Sequence, residues 1–298
     1  MRIAVRNWSA KLLRSLPQFK GKRRIGKFLQ KALTIPENVE EHFETFQMKD
    51  GSLMRVDLRS YTEHPSFWTG IFDPEVSLLT SYLKPGSVVL DVGANIGFYS
   101  IPLGRRLLQE GGALYAIEPV PTNFARLKEN IALNGLEHVI TPINVALGDH
   151  QGVVELSMGE EHDTAETGNA VVVGGKVLRK VTASARMTTL DNLVEENDIA
   201  RCDVIKVDIE GGEFAFLKGG MRFIRTNGPL IYLELNYHWM EQREWSLRDL
   251  HELARELGYT VLRKDRRGRF EGGATNGTGI ENAFLVPMSR GLDDYSRN

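Results

Sequence analysis

Cysteine is almost absent from this chain of 298 residues, where Cys202 stands alone. No disulfide can close within the chain, and no cysteine-based zinc cluster can be assembled. Long apolar runs are missing as well. No stretch approaches the roughly 18 consecutive apolar residues of a membrane-spanning helix, and the N-terminus lacks the apolar core of a secretory signal. A cytoplasmic protein is expected, with association at the inner face of a membrane as a variant. No internal repeat or low-complexity tract occurs, which excludes solenoids. Apolar residues make up 42% and charged residues 26%, so the chain belongs with proteins that bury a core rather than with disordered or fibrous ones.

Acidic residues are missing from one place in particular. Positions 1–36 hold ten Lys or Arg and no Asp or Glu; with −2 for the whole chain, the remaining 262 residues carry −12 between them. In this arm Ile25, Phe28, Leu29, Ala32 and Leu33 recur at helical spacing, with Lys22, Arg23, Lys27 and Lys31 around them, the pattern of a basic amphipathic helix. Three uses are open: docking on the acidic body, contact with an anionic membrane or a polyanion, or an organelle transit segment.

After the arm (1–36), a segment at 37–86 predicts a hairpin over Phe43 to Leu58, turning at Lys49-Asp50-Gly51, then a loop containing Trp68, then a short helix from Pro74 to Lys84. From Ser87 the pattern becomes apolar strand, turn, helix, and repeats: SVVLDV, then Ile96 to Leu108; ALYAIE, then Thr122 to Leu133; VITPINVAL; CDVIKVDI with a helix from Gly212 to Arg225; PLIYLEL with a helix from Leu247 to Leu257; YTVLRK; NAFLVP. Such alternation predicts a doubly wound α/β domain at 87–290. Its sheet is expected to have seven strands, mainly parallel, the last antiparallel. Residues 149–185 depart from the alternation and are read as an inserted β-ribbon beside the active-site edge.

The strongest local signal is Val88-Val89-Leu90-Asp91-Val92-Gly93-Ala94-Asn95-Ile96-Gly97, a strand running into a glycine turn and a helix. In doubly wound sheets ligands sit outside the carboxyl ends of the strands. Gly93 lets backbone approach a ligand, and Gly97 allows the next helix to pack tightly. Twenty-one residues after Gly97 the second strand ends at Glu118, where an acid can accept both ribose hydroxyls of an adenosine. A dinucleotide site is the competitor. It usually shows G-x-G-x-x-G, whereas Asp91 occupies the first glycine position and disfavours a phosphate. A cationic sulfonium cofactor, S-adenosylmethionine, would instead be drawn to acids near the turn. A turn that binds nothing is the plainest alternative.

At these residues the sequence resembles the FkbM family of class I methyltransferases. Further matches are Glu118-Pro119 followed by Asn123 and Leu127; Asn144-Val145-Ala146-Leu147-Gly148-Asp149; Ile205-Lys206-Val207-Asp208-Ile209-Glu210-Gly211-Gly212-Glu213; Trp68-x-Gly70; and Thr189-Leu190-Asp191. The likeness covers roughly Trp68 to Leu235. It departs at Ile71-Phe72-Asp73-Pro74-Glu75, where relatives tend to have Tyr-Glu, leaving open whether Asp73 or Glu75 takes that acid's place. The resemblance implies that Asp91, Gly93, Asn95, Glu118 and Ala146 line the cofactor pocket; Ala94, Gly97, Pro119 and Asp208 join them as candidates.

The fourth strand's end, Asp208-Ile209-Glu210-Gly211, should face the transferred methyl. It lacks the Asp/Asn-Pro-Pro-aromatic run of exocyclic amino methylation, and Cys202 lies at the wrong end of the strand to attack a pyrimidine. An alcohol oxygen remains, and the resemblance points to hydroxyls of sugars, glycans or polyketide-like molecules. Asp208 is the first candidate base, and His238 the second, because an imidazole exchanges its proton near neutral pH. Glu234 and Asn236 also end the fifth strand. Asp208, Glu234 and Asn236 together could alternatively hold magnesium, although no metal is expected. Trp68, Trp239 and Trp245 could flank the acceptor or pack the core. An RNA methyltransferase is the rival enzyme, disfavoured by the body's −12; a non-catalytic cofactor-binding or membrane-attached scaffold is the rival outside catalysis.

Overall fold

The computed structural model describes residues 2–33, 42–157, 171–173, 181–264, 270–272 and 279–290. Two helices form the arm, α1 (Arg2–Ser15) and α2 (Lys22–Ala32), and a hairpin of β1 (Phe43–Gln47) and β2 (Leu53–Asp57) follows. Next come α3 (His64–Thr69) and α4 (Glu75–Tyr82). The main domain runs β3 (Val88–Val92), α5 (Ser100–Glu110), β4 (Ala113–Ile117), α6 (Pro121–Leu133), β5 (Ile140–Ile143) and β6 (Ala146–Leu147). It continues through β7 (Gly152–Ser157), β8 (Val171–Val172), β9 (Ala183–Thr188), α7 (Leu190–Glu196), β10 (Val204–Val207), α8 (Glu213–Gly219) and α9 (Met221–Asn227). It ends with β11 (Leu230–Asn236), α10 (Tyr237–Gln242), α11 (Leu247–Leu257), β12 (Tyr259–Lys264), β13 (Phe270–Gly272) and β14 (Ile280–Pro287).

The central sheet has the order β13-β12-β14-β11-β10-β3-β4-β5. Strands β11, β10, β3, β4 and β5 pair in parallel, and β14 is antiparallel to both β11 and β12. These are the seven expected strands with the expected antiparallel last one; three-residue β13 adds an eighth at the edge. Two-faced burial explains the near-continuous apolar runs of the central strands. Along β11, Leu230 and Tyr232 join the core of the α4, α5 and α6 side, while Ile231 and Leu233 join the core of the α7, α8, α9 and α11 side.

Three helices add to the expected elements, α3 standing where a loop was expected. Residues of α3 bury Phe67 and Trp68 beneath the arm; α10 is a single turn and a half after β11; α7 starts on a Thr189 cap that accepts from Asn192 N–H. The expected helix from Gly212 to Arg225 is two, α8 and α9, broken at Gly220. There an added Cβ would come within 2.7 Å of Leu190. The expected strand VITPINVAL splits, β5 staying in the main sheet and β6 joining β9 in a separate sheet of order β6-β9-β7-β8. That sheet is the described part of the ribbon; its polar interval at 159–169 and most of the run 176–184 lie outside the described residues.

The hairpin is tied to α6 by two asparagines. Asn134 accepts from Leu53 N–H at 2.9 Å and donates to Leu53 C=O at 2.7 Å, and Asn130 accepts from Arg55 N–H at 2.8 Å while donating to Ile96 C=O at 2.9 Å. Buried Glu63 adds a clamp, accepting from Asp57 N–H at 2.7 Å and from both terminal nitrogens of Arg126.

Candidate active site

Strand register fixes what meets what. Across β4, β3, β10, β11 and β14 one row reads Ala116, Asp91, Lys206, Tyr232, Phe284. Two polar residues therefore sit in the middle of an otherwise nonpolar or aromatic row. Asp91 Oδ2 accepts from Ser100 Oγ at 2.6 Å, and Lys206 Nζ lies 3.5 Å from Asp91 Oδ1. The same ammonium lies 3.4 Å from Asp208 Oδ2 and donates to Gly93 C=O at 3.1 Å. Burial opposes its charge, but the Asp208 and Asp91 carboxylates together hold its pKa above the ordinary lysine value. Lys206 is not among the residues expected at the site from sequence; a cation inside a fully buried strand is the signal that marks it.

Two residues further along each strand, the same face reaches the carboxyl edge of the sheet. The turn there is held by β4: Gly93 N–H and Ala94 N–H donate to Ile117 C=O at 2.9 and 3.0 Å, Gly97 N–H donates to Ala94 C=O, and Asn95 N–H donates to Glu118 at 2.8 Å. These amides, which in a phosphate cradle would face the ligand, are spent inside the protein. The geometry agrees with Asp91 in disfavouring a dinucleotide. Asn95 takes a left-handed backbone with φ 51°, which Asn tolerates better than most residues. Its buried Oδ1 has no hydrogen-bond partner among the described residues.

Glu118 is buried beside this turn. One carboxylate oxygen takes Asn95 N–H and the other takes Val120 N–H at 2.9 Å. Burial nevertheless pushes its pKa up to about 7, against those two hydrogen bonds. Asn144 donates to Glu118 C=O at 2.7 Å and so fixes the strand end. A hollow of about 60 Å³ opens here between Gly93, Pro119, Ala146 and Ile209, with Leu156 and Val172 of the ribbon on its wall. Three of the expected cofactor residues thus share one concavity. Gly97 lies behind it, packed on Leu127 and Ile101.

The tip of β10 carries the acids. Asp208 is partly exposed, and the register of Val207 with Leu233 sets it beside Glu234 on the neighbouring strand. Burial and then the Asp208 charge push Glu234 up. Glu210, in a left-handed conformation at φ 50°, accepts from Asn236 Nδ2 at 3.1 Å. Burial, Asp208 and Glu213 push it up to about 8. Glu213 is buried under the loop and accepts from Ile209 N–H at 3.1 Å and Gly211 N–H at 3.3 Å. Burial pushes its pKa up to about 7.

His238 follows two residues after Asn236, at the start of α10. It is exposed on α10, and its ring lies against Trp239, with centroids 4.8 Å apart. Of the three tryptophans, Trp239 packs on Gly211 and Trp245 donates to Gly211 C=O at 3.1 Å, so both brace the Asp208 loop. Trp68 is instead fully buried under the arm. Of the candidate magnesium ligands, Asp208 is paired with Lys206, and among the described residues no group of three His, Cys, Asp or Glu is placed to hold a metal. Asp73 reaches toward the site: its Oδ2 accepts from Tyr99 Oη at 2.8 Å, and the Tyr99 ring lies 5.0 Å from Lys206 Nζ; Glu75, like Asp73, acts electrostatically on Tyr232.

A larger cavity, about 870 Å³, runs along the outer face of α5. On α5 its lining runs from Pro102 to Gln109, a helical length of about 10 Å. Met48, Ile71, Phe72 and Val76 make it mostly apolar, and Arg23, Lys49, Arg105 and Arg106 give it cations. Asp73 stands at the end nearest the strand tips.

The doubly wound sheet, its acid-tipped strands and this turn define a class I methyltransferase fold. The chain belongs to the methyltransferase FkbM domain family, whose model matches residues 91–261, more than half of the sequence. It is 28% identical over 144 residues to the hexuronic acid methyltransferase AglP of Haloferax volcanii, covering 48% of this chain and 54% of that protein. It is 29% identical over 120 residues to a tRNA (guanine(37)-N(1))-methyltransferase of Phytophthora infestans, covering 37% of this chain and 28% of that one. It is 27% identical over 161 residues to the 31-O-demethyl-FK506 methyltransferase FkbM of Streptomyces tacrolimicus, covering 46% and 60%. In each case the chain spans less than two thirds of the relative's length.

Proposed function

We propose that the chain is an S-adenosylmethionine-dependent O-methyltransferase acting on a hydroxyl of a sugar, glycan or polyketide-like molecule. One observation carries this reading: acids at the tips of β4 and β10 flank a turn whose amides are already engaged, so the site suits a cationic nucleoside rather than a phosphate. The residues fit the cofactor. Glu118 would meet the ribose hydroxyls with its remaining lone pairs, Pro119 and Ala146 would hold the base in their hollow, the unpaired Asn95 Oδ1 offers an acceptor, and Asp208 would face the methionine end.

When bound, the cofactor supplies an electrophilic methyl carbon on a cationic sulfur. The chain's own part is to hold the acceptor oxygen in line and take its proton. Positioning of this kind reaches effective molarities of about 10⁵ M or more. The Asp208 and Glu234 carboxylates are neighbours on adjacent strand tips, and Glu234, held up by burial and by the Asp208 charge, is suited to take a proton near neutral pH. The long cavity offers room for the acceptor's body, and its cations favour an acidic sugar, in keeping with the hexuronic acid named for one relative.

Nucleic acid is the second reading, supported by the tRNA enzyme among the relatives and by the cationic arm. Calorimetry with adenosylmethionine tests the cofactor. Release of adenosylhomocysteine with neutral sugars, uronic acids, phenols and RNA then tests the acceptor. Turnover confined to RNA and collapsing with salt would replace the first reading with the second, and cofactor binding without turnover on any acceptor would favour a scaffold.

A further inference from the structure

The arm has two sides of opposite character. One is docked on the body: Arg6 pairs with Glu44, Arg14 lies over the Phe46 ring at 4.9 Å, and Trp68 Nε1 donates to Gln30 at 2.7 Å. Gly26 meets Trp68 so closely that an added Cβ would lie 2.8 Å from it. Leu29 and Leu33 pack on the core, whereas Ile25 and Phe28, expected on the same face, turn outward.

The outward side is apolar. On α1 the buried residues are Arg6, Ala10 and Leu13, and the exposed stripe is Val5, Trp8 and Leu12, at i, i+3 and i+7. Trp8 is 66% exposed, Leu12 50% and Phe28 69%; Leu16 and Phe19 in the connection are exposed too. Among the described residues, eight of the fifteen exposed large apolar ones lie within the first 28 positions. This is concentration rather than the ordinary scatter of surface leucines. Around them Lys11, Lys20, Arg23, Arg24, Lys27 and Lys31 are all exposed, and no acidic residue occurs before position 37.

Charge and apolar surface together select the occupant. A nucleic-acid backbone would use the cations but leave Trp8, Leu12 and Phe28 in water. A second copy would bring one cationic arm against another. An anionic lipid surface answers both features, since phosphates meet the Lys and Arg while aromatic and leucine side chains enter the boundary between headgroups and acyl chains. We propose that the arm is a docking surface for an anionic bilayer, with the Val5-Trp8-Leu12 stripe and Phe28 as the inserted residues. The −12 body would face away from such a surface. The inference rests on the arm alone and stands apart from methyl transfer.

The test uses the whole chain with vesicles of phosphatidylcholine, alone or with roughly one third phosphatidylglycerol. Cosedimentation should show at least about tenfold tighter binding to the anionic vesicles, weakening with salt. Trp68, Trp239 and Trp245 are buried, so a blue shift in tryptophan emission on binding should vanish in Trp8→Phe. The pair Trp8→Glu with Phe28→Glu should cut binding about tenfold or more at unchanged melting temperature. Lys11→Glu with Arg24→Glu should do at least as much, at roughly fivefold for each cation removed. Equal binding to both vesicle types, no binding, or indifference to the Trp8 and Phe28 changes would overturn the proposal. So would preference for a homopolymer RNA over vesicles, or a lipid-free dimer that Trp8→Glu with Phe28→Glu dissolves.

Discussion

A side chain at Gly93 would run into the carbonyl oxygen of Asp208, because the tips of β3 and β10 touch at this point. Gly93 also holds φ at +77°, a conformation that costs other residues about 1–2 kcal/mol. Gly93→Ala is expected to push the Asp208 loop away from the turn. Adenosylmethionine affinity should fall about tenfold or more and the melting temperature by several degrees. Wild-type affinity by calorimetry would show that the two strand tips need not meet.

Lys206 is the counter-charge for two carboxylates, one of them wholly buried. Lys206→Met would leave Asp91 in the core without a cation, a change that typically costs about 3–5 kcal/mol. Urea unfolding should show a loss of this order. Adding Asp91→Asn should restore part of it, because the stranded charge is then gone. Identical loss in the single and double variants would mean that the ammonium acts through packing alone.

Asp208→Asn and Glu234→Gln separate chemistry from binding. If this carboxylate pair takes the proton, each change should lower turnover about 10²- to 10⁴-fold; Glu234→Gln should leave adenosylmethionine affinity within about threefold, and Asp208→Asn should lower it far less than it lowers turnover. His238→Ala should leave turnover within about twofold, given its exposed place on α10. Stopped turnover in the His238 variant, with active Asp208 and Glu234 variants, would reverse the assignment.

Buried glutamates set a pH signature. Folding raises Glu118 and Glu213 from 4.5 to about 7 and Glu210 to about 8. The folded chain therefore keeps protons that the unfolded chain releases. This contribution is complete below about pH 4.5 and is lost as pH rises through 7 to 8. Melting temperature without cofactor should fall between about pH 5.5 and 8.5, and Glu118→Gln should flatten the slope. Because Glu118 also holds Asn95 and Val120 N–H, Glu118→Ala should lower stability as well as cofactor affinity. A melting temperature that rises over this range would contradict the burial of these acids.

The central sheet was legible because both its faces are buried, so each strand reads as an apolar run closed by a turn and followed by a helix. Helix α1 was not, because its pattern is inverted: Arg6 is buried against Glu44 and Trp8 stands in water. At the site, Gly93, Glu118 and Asp208 declare themselves through the turn and the strand ends. The part played by Lys206 depends on the register that sets it beside Asp91, more than a hundred positions away in sequence, and the place of Asp73 on a side-chain bond to Tyr99 that only the folded packing brings about.

Asn130 and Asn134 bind the backbone of β2 much as another strand would. That border of the hairpin is therefore closed to recruitment by a neighbouring molecule, which guards a two-stranded sheet against edge-to-edge aggregation.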